Sequence, residues 1–308
     1  MSSRRGGVAN EAGSAHRRGV AIFLAAYGLA GRSVPGAIRS FVPASLAFET
    51  DHATDDLACH DAHGTAMYIS AKRTCGNDQE SLGSTVEQWV AQAGALNPGD
   101  MLVLASAELK GDVKELPAAL ARRRQARDTP MRAAEKRALA ALTEKITIAA
   151  PDPAVVGRVL DAAVVLTVNA VQSGDSGFEL AAALLENTLV PAGDGPAAVR
   201  ALSEAFHTQA ASAYASTLDD WVRIIHDATI TTYADGQGSP GAAAHARRIA
   251  LDNYRQHLAG QAGRVDLALL ADDLPPLIID DLAAGLQVTI VDDNDHPHIE
   301  QNLLAVAR

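Results

Sequence analysis

The chain has 308 residues, of which 48% are hydrophobic and 4% aromatic, so it can build one or two cores, mainly from Ala, Leu and Val. Two cysteines, Cys59 and Cys75, are too few for a disulfide framework, and a net charge of −11 would ordinarily argue against a nucleic-acid partner. The charge is unevenly distributed, however. Residues 1–150 carry 18 basic and 16 acidic side chains, whereas residues 151–308 carry 8 and 21.

The N-terminal region combines a polar tail with an apolar run. Residues 1–18 are rich in Gly, Ser, Ala and Arg, which predicts a disordered tail. Residues 16–31 resemble a secretory signal, but no convincing small-x-small cleavage site follows, and a buried first helix over about 20–41, broken near Pro35, is favoured. No later segment approaches the roughly 18 apolar residues of a membrane span. The sequence therefore predicts a cytoplasmic protein with no membrane partner.

Three short strands are predicted next, at residues 45–50, 55–61 and 65–73, and the last two are joined by the turn DAHG. Residues 84–96 carry apolar side chains at helical spacing, with Ser84 as N-cap and Glu87 as its capping-box partner. The apolar run MLVLAS at 101–106 has the length of a buried strand. This order of elements predicts an α/β fold with a mixed central sheet flanked by helices.

From about residue 113 onward the pattern is helical nearly throughout. Helices are predicted at 113–127, 131–145, 153–172, 176–190, 194–233 with an interruption, and 240–261. The predicted organisation is a tail (1–18), an α/β domain (19–125), a mainly α-helical domain (126–262), and a C-terminal linker or the start of a further module (263–308).

Charged residues within the predicted strands call for a compensating partner. Asp55 and Asp56 open the second strand, and Lys72 lies on the third, two residues after Ser70. A desolvated charge without a partner is costly, and a metal ion is one candidate partner. Ser70 and Lys72 share a strand face because side chains alternate with period two. Glu49 adds a carboxylate if the first strand runs beside the second.

The stretch ETDHATDDLACHDAHGTAMYISAKRT, followed by VEQW, in this element order resembles the PD-(D/E)xK superfamily of restriction-endonuclease-like nucleases. More narrowly, it is similar to the nuclease domains at the N-termini of bacterial antiphage defence proteins, including those linked to STAND or NACHT ATPases and CBASS effectors. The resemblance covers about residues 19–125. It implies a restriction-endonuclease-like fold and a DNA endonuclease that depends on Mg²⁺, with Mn²⁺ as the alternative ion.

The resemblance also implies roles for individual residues. Asp56, Asp55 and Glu49 are the expected metal ligands. The expected catalytic residues are Asp56, Lys72, Ser70 and Glu49, and Lys72 would orient the attacking water or stabilise charge on the phosphorus.

Ser70 departs from the family pattern, which has Glu, Asp or Gln at this position. A single hydroxyl is a weaker ligand, so either the metal is held by Asp56, a backbone carbonyl near Ala71 and waters, or the domain has lost catalysis. The alternative function is an inactive nuclease-like scaffold or a protein-interaction and oligomerisation module. An ordinary strand pair with accidental charges is the third interpretation.

A basic cluster at residues 122–145 holds eight basic and three acidic side chains. It is either a solvated helix face or a phosphate-contacting surface. The expected nucleic-acid contacts are Arg73, Arg122, Arg123, Arg124 and Arg127. The expected partners are double-stranded DNA, an ATPase or sensor module on this or a separate chain, and further copies of the chain in the active state.

Overall fold

A computed structural model shows a chain of mixed strands and helices. The structure describes residues 3–48, 52–54, 56–125, 130–210, 215–228, 230 and 232. The strands are β1 (Pro43–Phe48), β2 (Leu57–Asp61), β3 (Ala66–Cys75), β4 (Met101–Leu109), β5 (Ala163–Thr167) and β6 (Ala215–Thr217). The α-helices are α1 (Ser3–Leu29), α2 (Ser84–Gln92), α3 (Leu116–Gln125), α4 (Ala133–Ala149), α5 (Pro153–Ala162), α6 (Ser176–Thr188), α7 (Gly195–Ala210) and α8 (Leu218–Asp227).

The six strands form one mixed sheet in the order β5-β4-β3-β2-β1-β6. Strands β3, β4 and β5 are parallel, and β2, β1 and β6 add to them through antiparallel pairs. The hairpin register sets Leu57 opposite Ile69, and the parallel register sets Lys72 opposite Ser106. The predicted mixed sheet and the order from the first helix to the fourth strand are therefore confirmed.

Helices cover both faces of the sheet. Helices α1, α6, α7 and α8 pack on one face, here called the α1 face, and α2, α3, α4 and α5 pack on the other, the α2 face. Met67 and Ile69 of β3 point into the core on the α1 face, whereas Tyr68 between them points into the core on the α2 face. This alternation fixes the direction of every later side chain on β3 while the strand stays regular.

The first helix differs from its prediction. Helix α1 begins at Ser3 and ends at Leu29, so it includes residues assigned to the disordered tail and stops before Pro35. Its segment from Val20 to Ala26 is buried against the sheet, as predicted for a buried first helix. None of the described helices is long and apolar enough to cross a membrane.

Two further predictions were wrong in detail. Residues 163–167, predicted as helix, form β5, and it pairs with β4 in the same sheet as the hairpin. Helix α2 is preceded by a π-helical turn, Gln79–Gly83, whose N-cap is Asp78, so Ser84 lies inside the helical segment. The Glu87 carboxylate accepts a hydrogen bond from Gln79 instead of closing a capping box with Ser84.

The predicted division into domains stays a prediction, and residues 240–261, predicted as a helix, lie outside the described residues.

Candidate functional site

Asp56 lies where the hairpin of β2 and β3 ends. The ladder between these strands ends at the pair Leu57 and Ile69, and Asp56 precedes Leu57. Its Oδ2 accepts a hydrogen bond from the backbone N–H of Ala71, over an N···O distance of 2.9 Å. The carboxylate is therefore held against the β3 backbone, at the residue between Ser70 and Lys72. Thirteen residues separate Asp56 from Ser70 in the sequence, and this spacing alone does not specify the contact between Asp56 and the Ala71 N–H.

The other carboxylate oxygen of Asp56 is paired with a side chain from α1. Arg17 places Nη2 at 3.3 Å from Asp56 Oδ1, and the side chains of Arg17 and Asp56 are 23% and 15% exposed. An ion pair this well shielded is stronger than a surface pair. Helix α1 thus contributes a cation, Arg17, to the site. Arg17 was not among the predicted site residues, because the composition of residues 1–18 predicts a disordered tail.

Ser70 and Lys72 lie on the α2 face of β3, as their spacing predicts. Ala71 between them packs against the α1-face core. Ser70 is fully buried and donates from Oγ to Oε1 of Gln88 on α2, over 2.6 Å. Lys72 is half-buried and has no ion-pair or hydrogen-bond partner among the described residues. The catalytic roles expected of Lys72 and Asp56 stay predictions.

His16 lies beside this site on α1. Its imidazole is fully buried, and Nε2 is 3.3 Å from the carbonyl oxygen of Ala105 on β4. Burial lowers the pKa of His16, and the nearby Asp56 carboxylate opposes this shift only in part. His16 is therefore neutral at pH 7 and fixes α1 to the sheet next to Arg17.

A polar cleft of about 340 Å³ opens where the parallel strands end. It is lined by Ala15, Arg73, Thr74, Ala107, Glu108, Asn169, Val171, Gln172 and Asp175. In open sheets with parallel strands, ligands bind at the carboxyl ends of the strands. Arg73 is exposed there and makes no ion pair with a described residue. Asp175 is occupied by backbone N–H groups of its own loop, and Glu108 lies near Lys110.

Three arginines of the basic cluster are engaged within the protein. Arg122 pairs with the buried Glu135, Arg123 contacts Asp161, and Arg124 donates to the carbonyl oxygen of Ala163 at 2.6 Å. These contacts tie α3 to α4, α5 and the start of β5. They favour a structural role, and DNA binding by these three residues stays a prediction. Arg127 lies outside the described residues.

The donor set suits a hard cation in part. Glu49 and Asp55 lie outside the described residues, and no group of three or more His, Cys, Asp or Glu side chains occurs within the described ranges. The described oxygen donors near Ala71 are the Asp56 carboxylate and the Ser70–Gln88 pair. Mg²⁺ usually keeps several waters and is held by one or two carboxylates together with substrate phosphates. Of the expected metal ligands, the structure describes Asp56, and the predicted Mg²⁺ site stays a prediction.

The chain is only distantly similar to the known proteins with which it was compared. No protein family model and no curated protein matches the chain. Among solved structures, it is similar to a Cap4 SAVED/CARF-domain containing receptor from Moraxella osloensis, with a TM-score of 0.45 and 10% identity. The match covers 70% of this chain and 47% of the Moraxella chain, so this chain spans about half the length of that receptor. A likeness at this level says nothing about function.

Proposed function

We propose that the protein is a metal-dependent endonuclease that hydrolyses phosphodiester bonds in double-stranded DNA. The observation that carries the proposal is the contact of the Asp56 carboxylate with the Ala71 backbone, between Ser70 and Lys72 of β3. It brings the acidic element of the predicted motif against the strand that carries its lysine. The helix, hairpin and parallel crossover around it follow the element order on which the resemblance depends.

The proposed roles follow from the charges at the site. Mg²⁺ bound at Asp56 would neutralise a non-bridging phosphate oxygen and activate a water for attack. Asp56 would hold the cation after Arg17 releases Asp56 Oδ1 from their ion pair. Lys72 carries a charge without a described partner at the end of β3, so it is available to hold the attacking water or the developing phosphorane charge. Arg73, on the opposite strand face, is positioned to contact a neighbouring phosphate.

The biological setting that we propose is bacterial antiphage defence, with the chain as an effector that a sensor or ATPase module activates by assembly. The support for this setting is the resemblance of about residues 19–125, carried by the stretch 49–74 and the following VEQW, to the nuclease domains of such systems. We expect expression of the wild-type chain with its native partners to lower phage plaque counts, and Lys72→Ala to abolish that protection.

An inactive nuclease-like scaffold is the second candidate, and two observations favour it. Asp56 is paired with Arg17 rather than left open for a cation. Ser70 replaces the usual acid or amide and is fully buried. A scaffold of this kind would bind its partner through the helical layers and would show no metal-dependent cleavage.

A nicking assay, in which supercoiled plasmid is incubated with the purified full chain, distinguishes the active nuclease from the inactive scaffold. We expect nicking in Mg²⁺ or Mn²⁺ and none in EDTA. Lys72→Ala should reduce nicking about a hundredfold or more, because it removes the positive charge that is proposed to position the attacking water. Lys136→Ala is the matched control, since Lys136 is exposed on α4 and has no described partner. Equal cleavage by Lys72→Ala and wild type, or no cleavage by either at any metal concentration, would refute the nuclease proposal.

A further inference from the structure

We infer that the cleft at the carboxyl ends of β3, β4 and β5 binds one unpaired nucleotide. Its phosphate would pair with Arg73, and its base would contact Val171 and the amide of Gln172, which all line the cleft. This goes beyond the proposed function, which gives Arg73 a phosphate contact and the rest of the cleft no role. Binding of this kind does not require cleavage, so it can be tested separately from the nuclease activity.

The cleft is formed by strand ends and by a loop whose position is fixed. Residues 168–175 follow β5 and supply one wall. At the start of this loop, the Val168 N–H donates to the Ser106 carbonyl oxygen of β4 over 2.9 Å. Near its end, the Gly177 N–H donates to the Asn169 carbonyl oxygen over 2.7 Å. The cleft is therefore preformed, as small-molecule sites usually are.

The size of the cleft suits a single nucleotide. Its volume of about 340 Å³ lies at the lower end of the range for small-molecule sites, roughly 300 to 1,000 Å³. A base pair with its two sugars would need the space of two nucleotides. The cleft therefore favours a free nucleotide, or a nucleotide of a DNA strand that has no pairing partner.

Within the described part of the chain, Arg73 is the only cationic side chain that lines the cleft. It is exposed and makes no ion pair or hydrogen bond with a described residue. A guanidinium presents several N–H donors in one plane and binds a phosphate through two of them. Arg73 is therefore available to bind the phosphate of the ligand.

Two carboxylates in the cleft limit the charge of the ligand. Asp175 accepts hydrogen bonds from backbone N–H groups of its own loop, which compensate its charge. Glu108 is exposed, and its Oε2 lies 3.6 Å from Nζ of Lys110. A carboxylate accepts hydrogen bonds from sugar hydroxyls but repels further phosphate groups. The cleft should therefore bind a nucleoside monophosphate at least as well as a triphosphate.

The remaining surface of the cleft has the chemistry of a base-binding site. Val171 is 41% exposed, and Ala15 and Ala107 add apolar surface that a flat base can cover. The Gln172 side chain is exposed and makes no hydrogen bond with a described residue. Its amide offers an acceptor and two donors, and this pattern pairs with N6 and N7 of adenine. We therefore expect adenine to be the preferred base.

Isothermal titration calorimetry of the full chain in EDTA tests the two ends of the ligand separately. We expect deoxyadenosine monophosphate to bind, and Arg73→Gln to weaken its binding about tenfold, to the affinity of deoxyadenosine. Gln172→Ala should instead reduce the preference for deoxyadenosine monophosphate over thymidine monophosphate about fivefold. Lys136→Gln on α4 is the matched control for the lost charge and should bind as wild type does. Thermal unfolding of each variant shows that the fold is retained.

A second measurement identifies the source of the nucleotide. Fluorescence anisotropy in EDTA compares a labelled single strand of deoxyadenosines with the same strand in a blunt duplex. If the single strand binds at least about tenfold tighter than the duplex, and Gln172→Ala loses this preference, the ligand is a nucleotide of DNA. If only the free monophosphate binds, the ligand is a small molecule. No binding of either ligand, or affinities that Arg73→Gln and Gln172→Ala leave unchanged, would overturn the inference, and the nicking assay would still decide the nuclease proposal.

Discussion

At the scale of single residues, Asp56 has two partners that act in opposite directions. The Ala71 N–H orients the carboxylate toward β3, which suits a ligand, whereas the guanidinium of Arg17 competes for the oxygen that a cation needs. Two unit charges at about 3.3 Å attract by about 1 to 5 kcal/mol over the dielectric range from water to a protein surface. Under the proposed function, a cation that binds Asp56 must displace this interaction.

Arg17→Gln should therefore tighten metal binding. The neutral amide leaves Asp56 Oδ1 without a competing cation, and we expect the Kd for Mn²⁺ to fall about tenfold, which corresponds to about 1.4 kcal/mol. The concentration of Mn²⁺ that half-saturates plasmid nicking should fall with it. Arg18→Gln is the control, since Arg18 hydrogen-bonds His207 instead. A Kd that does not change in Arg17→Gln would show that the ion pair does not limit access to Asp56.

The candidate site was predictable from the sequence only where its residues lie on one hairpin. Alternation places Ser70 and Lys72 on one face of any regular strand, and a turn of known length brings Asp56 to β3. Neither strand alternation nor turn length places Arg17 or Gln88 near this hairpin. An arginine in a polar tail and a glutamine within an amphipathic helix are ordinary surface residues, and only the docking of α1 and α2 on the sheet brings them to the site.

At the scale of elements, the basic cluster stabilises the layer of helices on the α2 face. Glu135 is fully buried at the start of α4, where it pairs with Arg122 of α3 and accepts hydrogen bonds from the backbone and side chain of Arg132. Burial alone would raise the pKa of Glu135, but the hydrogen bonds from Arg132 and the two guanidinium charges outweigh it, so the pKa is lowered. The arginines thus compensate a buried carboxylate.

Glu135→Gln should lower the stability of the fold at neutral pH. A group whose pKa is lowered on folding adds stability above its unfolded-state pKa, near 4.3, and loses it as the pH falls through the folded-state pKa. We expect the variant to melt about 5 °C below wild type at pH 7, and the difference to shrink at pH 3.5. Thermal unfolding followed by circular dichroism measures both.

Glu144→Gln is the control, because Glu144 is exposed on the same helix and has no described ion pair. A difference between wild type and Glu135→Gln that stayed constant from pH 7 to pH 3.5 would contradict the ionised, arginine-paired state of Glu135.

The elements were predictable where periodicity and length agree. The hairpin, β4 and the first two helices of the α2 face follow patterns that distinguish strand from helix. Strand β5 was not predicted because AAVVL, residues 162–166, is a short apolar run that a helix and a buried strand can both adopt. Residues 163–167 form a strand because they pair with β4, which is distant in sequence. The three-residue strand β6 likewise depends on its pairing with β1.

At the scale of the whole molecule, charge and architecture together limit where DNA can bind. Residues 151–308 carry a large acidic excess, and three arginines of the basic cluster, Arg122, Arg123 and Arg124, are engaged with acidic side chains or a carbonyl. The cleft at the ends of β3, β4 and β5 retains an exposed cation, Arg73, next to the candidate site. The duplex is therefore expected at this edge of the sheet, with its phosphates near Lys72 and Arg73.

Arg73→Gln should weaken DNA binding without affecting the fold. Each phosphate contact on B-DNA contributes about −0.9 to the slope of log K against log salt concentration, so the loss of one contact should reduce the magnitude of the slope by about 0.9. Binding is measured by fluorescence anisotropy on a labelled duplex in Ca²⁺, in which cleavage is expected to be suppressed. Lys136→Gln removes one exposed positive charge from α4, away from the cleft, and should leave the slope as it is in wild type. If the two variants shifted the slope equally, the protein would bind DNA through its general charge, and the cleft would not be the DNA-binding surface.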